Sequence, residues 1–166
     1  RCLLQTLLSH RDSIVGLDAR HVDLSTGNYM SVPAFSEGSN VVIGKTMLMD
    51  KRFRAIAAAL PTAVKESVFT GGVCEHCDDL VMNAVVSNVT KVGPVRLVPE
   101  IWPNVRAKLP SPDGVSSKPM WYGPDGRRSQ CIRWLMQFYG DDALFRPNPQ
   151  QNTHEIQCRA AAAVGA

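Results

Sequence analysis

No stretch of this 166-residue sequence holds 18 consecutive apolar residues, which excludes a membrane-spanning helix within it. Excess charge is also missing. Eighteen Lys and Arg stand against 15 Asp and Glu, and the net +3 is scattered along the chain rather than gathered in a basic stripe. A nucleic-acid partner is therefore not expected. There are no internal repeats, and the first residues do not form a secretory leader. Because "RCLLQTLLSH" reads as the inside of an amphipathic helix, the chain is expected to be a piece of a longer protein, with any anchor upstream of Arg1. A second close pair of Cys or His beside Cys74 and Cys77 is absent as well.

What is present fits one soluble globular domain: 45% of residues are apolar and 20% charged. The odd cysteine count of five (Cys2, Cys74, Cys77, Cys131, Cys158) leaves at least one unpaired within the chain. Asn88-Val89-Thr90 is a glycosylation sequon, and with possible disulfides it points to a secretory compartment.

The pattern predicts strands over 13–17, 40–48 and 93–99. Helices are expected over 50–60, 61–69, 78–89 and 127–140, the last stopped by Gly140. The segment 20–39, "RHVDLSTGNYMSVPAFSEGS", reads as loop, as does the Pro- and Gly-rich stretch from 102 to 127. Strands alternating with helices favour an α/β domain over 1–146, followed by a poorly ordered tail at 147–166.

The stretch "GGVCEHCDDLVMNAVVSNVT" (71–90) carries the densest chemistry. Cys74-x-x-Cys77 is half a zinc site without its other half. As a redox pair it would suffer from two carboxylates that raise thiol pKa values. As plain structure, Asp78 caps a buried helix and Asp79 strengthens its first turn. These readings remain open on the residues alone.

Four stretches, in order, resemble the exostosin-type glycosyltransferases, glycosyltransferase family 64. They are "DSIVGLDARH", with Arg20 and His21 in register; "SNVVIGKTMLM"; "CDDLVMNAVVSNVTKVGPVRLVPE"; and "RRSQCI". The resemblance implies a GT-A-type fold, a mixed sheet flanked by helices, of which this chain would be the acceptor-side part without the N-terminal nucleotide-binding half. It implies retaining transfer of a sugar from a nucleotide-sugar donor to a glycan or glycolipid acceptor. It places the full-length protein in the Golgi or endoplasmic reticulum lumen, membrane-anchored. Mn²⁺ is implied too, yet the Asp-x-Asp motif that would hold it does not occur here.

By the same resemblance, Cys77 pairs with Cys131. Asp79 lies at the reaction centre with Asp78 beside it, and Arg128 is an active-site arginine. Arg20 and Trp121 contact substrate, with Trp121 at a cleft rim where its face stacks on sugar. His76 stands where relatives often have Asn, and Cys74 lies outside the family pattern. The disulfide would bring Asp79 and Arg128 together. A carboxylate stabilises an oxocarbenium-like sugar, and an arginine a departing diphosphate, so both residue types suit the chemistry. Two other readings stay beside this one: a non-catalytic fold fragment or binding module lacking the donor site, and a zinc-binding interaction domain.

Overall fold

A computed structural model describes residues 2–30, 39–99, 119–140, 145 and 156–158. The architecture is mixed α/β, with two small sheets flanked by helices. The helices are α1 (Cys2–Ser9), α2 (Arg52–Ala58), α3 (Thr62–Phe69), α4 (Asp78–Thr90) and α5 (Arg127–Tyr139). The strands are β1 (Val15–Gly16), β2 (Ala19–Asp23), β3 (Asn28–Met30), β4 (Val41–Val42), β5 (Met47–Leu48), β6 (Val95–Pro99) and β7 (Ile156–Cys158).

One sheet has the order β5-β1-β6-β7, with β1 parallel to β6, β6 parallel to β7, and β5 antiparallel at the edge. The other is antiparallel with order β3-β2-β4. The strand expected over 40–48 is two strands in two different sheets. A 3-10 turn at Gly44–Thr46 separates them and lets the chain leave one sheet for the other.

The loop expected over 20–39 contains the β2–β3 hairpin. Its turn is made locally. The Asp23 carboxylate accepts from the Ser25 N–H and from the Ser25 and Thr26 hydroxyls, and Gly27 takes a left-handed φ of 67°. Residues 156–158, expected in a poorly ordered tail, are a strand beside β6. Residues 31–38 and 100–118 lie outside the described residues, as do the side chains of Cys2 and Cys158.

The main core gathers Val22, Tyr29, Val41, Leu80, Ala84, Trp121, Ile132, Leu135 and Phe145, among others, around α4 and α5. Helix α4 is buried on most of its surface, as its nearly continuous apolar run predicts. One of its two buried polar residues, Asn83, serves as a surrogate strand. The side-chain amide donates to the Val42 carbonyl (2.7 Å) and accepts from the Val42 N–H (3.0 Å), closing the edge of β4 inside the protein. Asn40 does the same for Val22 of β2, at 2.9 and 2.7 Å.

Candidate functional site

The site is assembled where the 73–76 turn and the start of α4 meet the start of α5. Cys77 is the N-cap of α4, so Asp78 and Asp79 are its first two helical residues, and the expectation that Asp78 is the cap is corrected. Neither a Cys77 nor an Asp78 side chain caps the helix. Asp79 instead takes the Leu80 N–H on one oxygen (2.8 Å) and the Gly44 N–H on the other (3.3 Å). The turn between β4 and β5 thereby presents a backbone donor to the carboxylate.

His76 has φ 59°, in the left-handed region that Asn, Asp and His tolerate better than most residues. A histidine at this position therefore keeps the turn possible. This turn sets the cysteine pairing, and the pairing differs from expectation. The disulfide joins Cys74 to Cys131, whose Cα atoms are 4.7 Å apart, while Cys77 is a free, fully buried thiol. Cys74 is thus the structural partner and not a bystander. Cys74 and Cys77 do not pair with each other.

Two further contacts clamp the same turn to the start of α5 and to the 3-10 turn at Pro119–Trp121 that precedes it. Glu75 and Arg127 form an ion pair at 3.3 Å, and the His76 ring meets the Trp121 ring edge-on at 6.0 Å.

Trp121 is 3% exposed, and its ring packs into the core between His76 and the two arginines. The rim position expected for it is corrected: the face expected to stack on sugar is taken up by cations of the protein itself. Arg128 is 8% exposed, and its guanidinium sits in an aromatic box. It lies 4.9 Å from the Tyr29 ring centre, 5.5 Å from Tyr122 and 5.9 Å from Trp121. The Tyr122 hydroxyl also accepts a hydrogen bond from it.

Asp79 and Arg128 act on each other's charge, although no direct ion pair joins them among the described contacts. Burial raises the Asp79 pKa above the ordinary carboxylate value; the Gly44 N–H, Arg128 and the Leu80 N–H pull it back only in part. Burial also works against the charge on Arg128, but Tyr29, Tyr122 and Asp79 outweigh it and raise its pKa. The Cys77 thiol is pushed up to about 12, by burial first and then by Asp79. Tyr29 is raised by burial, against the pull of Arg128 and Arg20.

The remaining expected residues fall outside this box. Arg20 is held by Asp18 at 2.6 Å and by its neighbour's carbonyl, yet its charge still reaches Tyr29. Asp78 is exposed next to Asp79. Asn88 lies in the last turn of α4, where its side-chain oxygen accepts from Lys91 at 3.1 Å. Among the described residues, no three His, Cys, Asp or Glu side chains converge as a metal site. Tyr29, Gly44, Asn83 and Ser129 were not legible as site residues. Only Asn83, a polar residue inside the apolar run Leu80–Val86 of α4, carried a signal.

No helix among the described residues is long and apolar enough to cross a membrane. Among curated proteins none matches the chain. The family model described as glycosyl transferase family 64 domain matches residues 6–153, most of the chain. A match over that share of the chain makes the protein a member of glycosyltransferase family 64.

Proposed function

We propose that this chain is the acceptor-side part of a retaining glycosyltransferase that moves a sugar from a nucleotide-sugar to a glycan or glycolipid acceptor in the Golgi or endoplasmic reticulum lumen. The observation that carries this reading is Asp79 and Arg128 at the starts of two helices, with the turn leading into the first tied to the second by the Cys74–Cys131 bridge. Retaining transfer develops positive charge on the sugar and negative charge on the departing phosphate. The half-buried carboxylate faces the first charge, and the guanidinium the second. Both are fixed before substrate arrives, so little reorganisation is needed as charge develops.

The aromatic box keeps Arg128 desolvated on the protein side, which strengthens its interaction with an anion. Asp78 and Arg20 flank the pair as substrate contacts. No set of ligands for Mn²⁺ is present among the described residues, and the sequence contains no Asp-x-Asp. In this reading the donor-holding motif lies in a part of the protein outside this sequence, and no step here passes through a metal.

The test is transfer of radiolabelled sugar by the enzyme carrying Asp79→Asn or Arg128→Ala. Each is expected to lower turnover by about a hundredfold or more, in the range seen when one preorganised charge-stabilising group is removed. Near wild-type transfer by either variant, with the fold intact, would overturn the mechanism. It would leave the binding-module reading, in which the fold carries no reaction.

A further inference from the structure

Tyr29 is buried in the core, 2% exposed, yet four charged or ionisable groups act on it: Arg128, Arg20, Asp79 and Tyr122. Its hydroxyl is buried and has no hydrogen-bond partner among the described residues, which is unusual for a tyrosine placed there for packing alone. Its ring lies directly against the Arg128 guanidinium, at 4.9 Å from ring centre to Cζ, closer than the Trp121 and Tyr122 rings.

The backbone of Tyr29 is fixed to the helix that carries Arg128. The Tyr29 N–H donates to the hydroxyl of Ser129, the next residue along α5, at 2.9 Å. The Ser129 hydroxyl in turn donates to the Gly123 carbonyl at 2.7 Å. One turn further on, Arg133 makes the same bridge, to the Asn28 side chain at 3.2 Å and the Pro124 carbonyl at 2.9 Å. Strand β3 and the 123–124 turn are thus bolted to α5 twice.

We infer that Tyr29 is a positioning residue for Arg128: its ring is the surface on which the guanidinium rests, and the Ser129 bolt sets the height of that surface. This inference rests on the proposed role of Arg128 in sugar transfer. An arginine has several rotatable bonds, and a flat π face under the guanidinium holds its plane at low entropic cost.

The experiment substitutes Tyr29→Met, which keeps bulk and removes the π face, and Tyr29→Phe, which restores the face without the hydroxyl. In the enzyme, Tyr29→Met is expected to lower kcat about tenfold with little change in KM, and Tyr29→Phe to recover most of that loss. In an Arg128→Ala background Tyr29→Met should have almost no further effect on kcat. A purely structural tyrosine would give the same loss in both backgrounds, and that result would overturn the inference.

Should Tyr29→Met fail to fold, phenylalanines of increasing fluorination at position 29 keep the shape while weakening the π face. A kcat that falls along the series at constant melting temperature supports the inference, and a flat kcat overturns it. If the wild-type enzyme transfers no sugar, the functional reading fails, and the positioning is decided separately. The Arg128 side-chain N–H signal in the NMR spectrum should broaden and exchange faster in the fluorinated proteins. An unchanged signal would overturn the positioning role.

Discussion

Asp79 is a half-buried charge with incomplete compensation, and its pH dependence follows from that. The folded protein disfavours its ionisation relative to the unfolded chain, because burial outweighs the Gly44 N–H, Arg128 and the Leu80 N–H. A group with a raised folded pKa contributes most stability below its unfolded value and loses it as pH rises through the folded value. Asp79→Asn is therefore expected to be at least as stable as wild type at pH 7, with the difference shrinking as pH falls through the raised folded value and gone below the ordinary carboxylate value of about 4. Urea midpoints at the two pH values check this; a variant less stable at pH 7 would refute it. Asp23 behaves in the opposite sense. The Ser25 and Thr26 hydroxyls and the Ser25 N–H hold its pKa down to about 2, so its contribution is present at neutral pH and is lost as pH falls through that value. Asp23→Asn should weaken the protein at pH 7 and converge with wild type near pH 2. Cys77 gives a third residue-scale test. With its thiol fully buried and pushed up to about 12, it should resist alkylation in the native protein and react on unfolding. Non-reducing peptide mapping should recover the Cys74–Cys131 peptide.

At the scale of elements, the helices were the legible part. Runs of apolar residues with good helix formers located α2, α3, α4 and α5 to within a few residues, because burial of a helix face leaves a periodic trace. The hairpin β2–β3 was not legible. Its residues are polar on one side and its turn is stabilised by Asp23 side-chain bonds, so its composition resembles that of a loop. The division of 40–48 between two sheets was hidden for a related reason: the pairing partners that part the two halves lie far away in sequence. The cysteine pairing depended on the left-handed turn at His76, and two candidate cysteines three apart cannot be told from each other without it. Asp79 and Arg128 were legible only through the family resemblance; composition and spacing alone left Asp79 as a helix-start residue. Asn83 shows what one buried polar side chain does for an element. Asn83→Ala strands the N–H and C=O of fully buried Val42, which should cost about 2–3 kcal/mol. A denaturant titration showing a loss below about 0.5 kcal/mol would mean water replaces the amide.

Over the whole molecule, the Cys74–Cys131 bridge closes a loop of 57 residues in sequence separation and should contribute roughly 4 kcal/mol through the unfolded chain. Reduction, or Cys131→Ser, is expected to lower the denaturant midpoint accordingly; an unchanged midpoint would show that packing alone holds the two helices. The two bolts from α5 to β3 have another consequence. They join residues 100 and 105 positions apart: Tyr29 to Ser129 and Asn28 to Arg133. During translation the β2–β3 hairpin leaves the ribosome long before α5 is made. It waits without its long-range partners, with Tyr29 not yet covered. Completion of the fold is therefore tied to the arrival of α5, and a nascent chain stalled before residue 127 has an uncovered core face for a chaperone to hold.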